Sequence, residues 1–237
     1  PCALPISKKV NKRLSIIGYE YCPVNTMAKN EQWCKSLLEW KEQVAQWITN
    51  AGNDELLLSS IFFDFDISYG NVQLSNALSD HIFELSRNNK RFTSALAEAT
   101  LRNPPPLGFF RQFVVEHDGE SKDSFDIKKR AITPLTDAGR LLILSHEVKN
   151  LSNTSERFDK LAQLEPSNRE LYLACSFASK ALLKFRTKQG IRERNNGRFI
   201  KLGQLNKEEK MKLKRCFRSL KEVQDLIKVR FEVKAYV

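Results

Sequence analysis

Over most of residues 71–231, apolar side chains return every three or four positions, the spacing that gathers them on one face of an α-helix. Leu74, Ala77, Leu78, His81, Ile82 and Leu85 make one such face. Phe92, Leu96 and Ala99 make a second over residues 90–102, which Pro104, Pro105 and Pro106 bring to a stop. Residues 108–116 read as extended, and His117, Asp118 and Gly119 as a turn. Thr133 followed by Pro134 reads as a helix cap with proline in the first turn, ahead of Leu135, Ala138, Leu142 and Ser145. Helices are expected again at 154–164 and 168–189. The last opens at Asn206 with Glu209 three residues on, a capping-box spacing, and carries Leu213, Phe217, Leu220, Ile227 and Phe231 on its apolar face. Helices of this kind bury their faces against one another, so the expected fold is mainly α, a helical bundle.

The first 70 residues are less uniform. Residues 8–17 read as the end of a helix stopped by Gly18, and residues 19–28 as a loop. Asn30 is a good cap for the segment in which Trp33, Leu37, Trp40, Val44 and Trp47 fall on one helical stripe. Residues 58–66 are rich in aromatics and read as a buried strand. Alternation would then place Phe62, Asp64 and Asp66 on one face and Phe63 and Phe65 on the other. Two carboxylates on one face of an apolar strand are costly unless they are hydrogen-bonded, hydrated or metal-bound. Asp64 and Asp66 are therefore the first candidates for chemistry.

Composition excludes several classes. The chain has 237 residues, 41% hydrophobic and 28% charged, which suits one or two globular domains with a core of their own. No run approaches the roughly 20 apolar residues of a membrane span, and the N-terminus lacks the pattern of a signal peptide. The chain begins Pro1-Cys2-Ala3 rather than with Met, which suggests a start inside a longer protein. Five widely spaced Cys and three scattered His fit neither a disulfide framework nor a zinc site, and a reducing cytoplasm is expected. The formal net charge is +11, and it is uneven. Residues 184–221 hold 14 of the 39 basic residues and three of the 28 acidic ones, which leaves 25 of each sign elsewhere. Such an end can meet an anionic partner, but Phe185 and Phe199 alone are too few aromatics before Phe217 for a base-stacking platform. Nucleic acid is accordingly not the expected partner.

Several strings resemble a family of bacterial nucleotidyltransferases that carry their own helical substrate-binding domain. They are Tyr21-Cys22-Pro23 with Met27-Ala28, the Trp33 to Trp47 segment, IFFDF with Tyr69-Gly70, PPPLGFFRQFVVEHDG at 104–119, FDIKKRAITPLTDAGRL at 125–141 and a helix end centred on Gln189. The family is similar to the protein P-II uridylyltransferases and often follows CBS or cyclic-nucleotide-binding domains. The resemblance implies that residues 1–57 are the back part of an α/β nucleotidyltransferase domain. Residues 58–237 would be its last strand plus the substrate-binding bundle. It also implies Mg²⁺, an NTP and a protein or small-molecule acceptor. The family's Gly-Ser turn and Asp-x-Asp pair lie upstream of the Tyr-Cys-Pro loop, so this chain alone is expected to be inactive.

By the same resemblance Asp64 is the candidate third metal-binding carboxylate and the catalytic candidate; Asp66, on the same face of the expected strand, is a second candidate metal ligand from the residues alone. Arg111, Lys128, Arg130, Asp137, Arg140 and Gln189 are the candidate substrate-binding residues, with Arg111, Lys128 and Arg140 suited to phosphate or an acidic protein. Asp137 and Arg140 are three apart on one helix, which also fits a surface ion pair. The sequence departs from the family twice: Asp66 stands where relatives usually have Arg, and Lys188 where they often have His. The competing expectation is a non-enzymatic helical module whose basic end binds nucleic acid or an acidic partner.

Overall fold

A computed structural model describes residues 3–23, 25–104 and 124–233. The extended segment and turn read at 108–119 lie outside the described residues, as does Arg111. The chain divides between Gln46 and Trp47 into two compact units. The first contains helix α1 (Ala3–Ile16), a single 3₁₀ turn (Glu31–Trp33) and most of α2 (Leu37–Asn50). Gly18 follows α1 with a φ of 104°, a conformation that glycine adopts at little cost and that ends a helix. Asn30 heads only the short turn, not the tryptophan helix. The start of α2 is set instead by Ser36 and Glu39: the Ser36 amide donates to Glu39 Oε2 at 2.6 Å and the Glu39 amide to Ser36 Oγ at 3.3 Å. Trp33 thus falls before the helix, with its ring 6.1 Å from that of Trp40.

The second unit is the helical bundle. It comprises α3 (Asn53–Phe62), α4 (Val72–Asn88), α5 (Lys90–Leu101), α6 (Thr133–Ser145), α7 (Thr154–Leu164), α8 (Arg169–Glu193) and α9 (Lys207–Arg230). Among the described residues the only strands are β1 (Ser124–Asp126) and β2 (Phe199–Lys201), paired antiparallel with Phe125 opposite Ile200. The fold is mainly α, as the periodicity requires.

Two expectations are corrected here. Residues 58–66 are not a strand: α3 runs to Phe62 and a turn follows. Asp54 and Glu55 sit in its first turn, where carboxylates favour a helix, and Leu56, Ser59 and Phe63 face the core at helical spacing. Residues 56–66 contain one β-branched residue, Ile61, against three leucines, so the apolar character of this stretch reflects burial rather than strand preference. Thr133 does not cap a helix. The backbone is already helical from Ile127, and the Lys129 amide donates to the Asp126 carboxylate at 2.9 Å, so Asp126 opens the segment. A wide π-type turn, Lys128–Ile132, then precedes Pro134, where an ordinary helix would suffer the lost amide donor.

Helix α8 is the centre of the bundle, with α7 packed on one side and α9 on another. Small residues (Cys175, Ser176, Ala178, Ser179, Ala181) on its buried faces allow the close approach. Phe158 stacks on Tyr172, and Phe125 meets Phe217 edge-on at 5.6 Å. Helix α9 has the full capping box between Asn206 and Glu209 and buries Leu213, Phe217, Leu220 and Ile227 completely. Burial pushes the Cys216 thiol up to about 11, and raises that of Cys175 as well, so both stay protonated and unreactive.

A polar knot ties the far ends of these helices. Glu165, just after α7, accepts from both Nη atoms of Arg230 at 2.6 and 2.5 Å, from Tyr172 Oη at 2.7 Å and from Asn168 at 2.8 Å. His146 Nε2 lies 2.5 Å from its other side. Burial alone would raise the Glu165 carboxyl, but the hydrogen bonds from Arg230, His146, Tyr172 and Asn168 outweigh it and hold it well below the usual carboxylate range. Its stabilising contribution is therefore complete above the ordinary glutamate value near 4.5 and fades as the pH falls below it. Glu165→Gln should cost roughly 3 kcal/mol at pH 7, because it leaves Arg230 without its charge partner. Denaturant titrations between pH 7 and pH 3 should show the gap to the parent chain closing on the acid side.

Gly197 tests the packing of the turn after α8. It has a φ of +64°, and a Cβ there would lie 1.9 Å from the Arg186 carbonyl oxygen. Gly197→Ala should cost more than about 2 kcal/mol by the same titration.

Candidate functional site

The turn after α3 carries Asp64 into a cavity of about 270 Å³ enclosed by α3, α4, α5, α6, the 148–151 segment and α7. Most of its wall is apolar: Leu56, Phe63, Ile82, Leu96, Leu141 and Leu151 contribute. The turn is held by an aromatic chain in which Trp47 meets Phe62 at 5.5 Å, Phe62 meets Phe65 at 5.6 Å and Phe63 meets Phe92 at 6.1 Å. Reversal of direction at Phe63 is what points Asp64 inward and leaves Asp66 exposed.

Asp64 is gripped from two helices. Arg140 of α6 donates through Nε at 2.8 Å and Nη2 at 2.7 Å to Asp64 Oδ2. Arg157 of α7 contacts Asp64 Oδ1 through Nη2. The remaining end of Arg140, Nη1, reaches Asp137 Oδ1 at 3.1 Å, one turn back on α6. Arg157 is the innermost member, its side chain 3% exposed. Its Nε donates to the Leu151 carbonyl at 2.7 Å, while Nη1 is buried with no hydrogen-bond partner among the described residues. Burial pushes the Arg157 guanidinium down to about 10, which still leaves it charged near neutrality. Burial also raises the Asp137 carboxyl above its ordinary value, with Arg140 partly offsetting the rise.

The structure therefore brings together Asp64, Asp137 and Arg140 of the expected residues and adds Arg157. Lys128, Arg130 and Gln189 do not line this cavity. Lys128 is exposed in the wide turn, and Gln189 is buried near the end of α8. Asp66 is exposed, and its Oδ1 accepts from the Ile67 amide at 2.7 Å. Arg157 is legible in hindsight. It stands four residues before Leu161 and next to Phe158, on the stripe that α7 buries, where an arginine must have a partner.

A divalent metal fits this donor set poorly. Mg²⁺ needs near-octahedral oxygen ligands, and here both oxygens of Asp64 already face guanidinium groups. Among the described residues no three His, Cys, Asp or Glu side chains converge as a metal site would require. No step is therefore assigned to a metal at Asp64 or Asp66.

The basic segment is partly neutralised locally. Lys188 pairs with Glu209, Lys201 with Glu193, Arg198 with Asp126 and Lys221 with Asp225. The last of these bridges is an exposed helix pair and contributes little. No helix among the described residues is long and apolar enough to cross a membrane.

Residues 90–231 match the model of the family described as "Putative nucleotidyltransferase substrate binding domain". The chain belongs to this family. Residues 2–54 match a second one, "Putative nucleotidyltransferase DUF294". No curated protein and no solved structure matches the chain. The substrate-binding match begins at the first residue of α5 and ends just past α9, and so includes Asp137, Arg140 and Arg157. Asp64 lies between the two matches.

The ion cluster makes a direct prediction. Asp64→Ala leaves Arg157 buried without a counter-charge and should destabilise the chain by roughly 3–5 kcal/mol. Asp66→Ala should change stability by less than about 0.5 kcal/mol. Urea denaturation of the two variants reads the difference.

Proposed function

We propose that this chain is the C-terminal portion of a nucleotidyltransferase that moves a nucleotidyl group from an NTP to a protein or small-molecule acceptor. Its nearest functional analogy is the P-II uridylyltransferase reaction, with the helical unit presenting the acceptor. The observation that carries the reading is the order of the two family matches in one chain, transferase segment first and substrate-binding segment second. Transfer of this kind uses Mg²⁺ to neutralise the triphosphate. In this reading the metal-binding carboxylates belong to a Gly-Ser, Asp-x-Asp turn upstream of the Tyr21-Cys22-Pro23 loop. The only Asp-x-Asp in these 237 residues is Asp64-Phe65-Asp66, and no Gly-Ser precedes it. Asp64 then acts as an anchor that sets Arg140 and Arg157 at the cavity wall, where two guanidinium groups favour an anionic substrate.

The competing reading, a binding module without catalysis, draws on the exposed cations Lys184, Arg194 and Lys207. Affinity for generic DNA or RNA that falls steeply with salt would favour it.

The 237-residue chain, incubated with Mg²⁺ and labelled ATP or UTP, should incorporate no label. A form extended upstream through the Gly-Ser turn should incorporate it. Incorporation by the short chain would overturn the division of labour between the two parts. An extended form that never consumes NTP would overturn the transfer reading.

A further inference from the structure

Besides Asp64 Oδ1, which faces Arg157 Nη2, two buried polar groups on the wall of the 270 Å³ cavity have no hydrogen-bond partner among the described residues: Nη1 of Arg157 and Oγ of Ser59. Arg157 is 3% exposed and Ser59 is fully buried. Buried donors are almost always satisfied, and leaving one unmade costs about 1–3 kcal/mol, more when it is charged. They come from different elements, α7 and α3, yet both line one cavity. The charges around them are not balanced. Among the described residues Arg102, Arg140, Lys149 and Arg157 line the cavity against Asp64 and Asp137; Lys149 is paired with Asp80 of α4, which leaves an excess of one positive charge.

We infer that this cavity is a binding site for a small carboxylic acid with an apolar body, its carboxylate received by Arg157 Nη1 and Ser59 Oγ. The head group follows from the donors. Arg157 Nη1 can donate one charge-assisted hydrogen bond and the Ser59 hydroxyl a second, one to each carboxylate oxygen. A phosphate brings three strong acceptor oxygens and a second charge, more than one free guanidinium nitrogen and one hydroxyl can satisfy. An amine would set like charge against the lining excess. The body follows from the rest of the wall, where Ile82, Phe83, Leu96 and Leu141 offer only apolar contact. Size follows from the volume. A dry apolar cavity of about 150 Å³ holds benzene, so this one takes roughly ten non-hydrogen atoms. The inference goes beyond the transfer reading, since binding requires neither nucleotide nor metal.

Phenylpropanoate is a probe of this size and chemistry, with phenylpropylamine and phenylpropanol as its cationic and neutral counterparts. Calorimetric titration of the full 237-residue chain should give saturable binding of the carboxylate alone. At a hundredfold excess over Kd, the melting temperature should rise by roughly 5–10 °C. Arg157→Lys should weaken binding at least about tenfold, since one ammonium cannot hold Asp64 and the Leu151 carbonyl and also take the place of Nη1. Arg157 also helps hold the fold, so a second variant is needed. Ser79 lines the cavity from α4, and Ser79→Leu fills it without touching the ion cluster; it should abolish binding while circular dichroism stays unchanged. Absence of saturable binding, equal binding of the amine or the alcohol, or binding that survives Ser79→Leu would each overturn the inference. None of these results depends on NTP turnover, so the transfer reading stands or falls separately.

Discussion

An arginine buried among leucines and phenylalanines needs a counter-charge, and the way Arg157 gets one organises the bundle around it. Its partner Asp64 is not a neighbour on α7 or α6 but arrives from a turn more than 70 residues earlier in the chain. Docking of α3 and its turn against α6 and α7 is thus made specific by charge as well as by apolar fit. Buried ion pairs are poor stabilisers relative to hydrophobic replacements, yet breaking one of the two partners is severe. The cluster constrains the arrangement more than it strengthens it. Arg140 extends it outward to Asp137, so the polar character runs from the sealed end of the cavity to its half-exposed rim.

Glu165 does comparable work at the opposite end of α7. One carboxylate collects the end of α6 through His146, the start of α8 through Tyr172 and the end of α9 through Arg230. Helix α7 is consequently held at both ends by ion pairs, with Phe158 and Leu161 packed between them. The two knots differ in access. Glu165 has its oxygens filled by protein contacts, whereas in the Asp64 cluster one nitrogen of Arg157, a residue of the cavity wall, has no hydrogen-bond partner among the described residues. That contrast separates a joint from a site.

Much of this was legible in the residues. The helical spacing of α4, α5 and α7 and the capping box at Asn206 are local signals, and they hold locally. The failures have a common cause, which is that tertiary context outranks local pattern. An apolar run such as residues 56–63 suits a buried helix as well as a strand, and only its acidic first turn argues for the helix. Thr133-Pro134 looks like a start because nothing nearby announces that Asp126 has already opened the segment. Of the candidate site, Asp64, Asp137 and Arg140 were found in sequence, the first for a reason tied to a strand that is not there. Arg157 was not found. Arginine at one position of an apolar stripe reads as an exposed flank until its distant carboxylate is known.

The β1–β2 ribbon joins residues 124–126 to residues 199–201, and α9 then covers the face of α8. During synthesis the ribbon cannot close until residues 199–201 have left the ribosome, nor the α8 face until residues 207–230 have. Until then the inner faces of α6, α7 and α8, with Leu142, Tyr172 and Leu182, have no complete cover. A nascent chain of this kind is exposed to aggregation late rather than early. Loss of α9 by proteolysis would return the mature bundle to that same uncovered state.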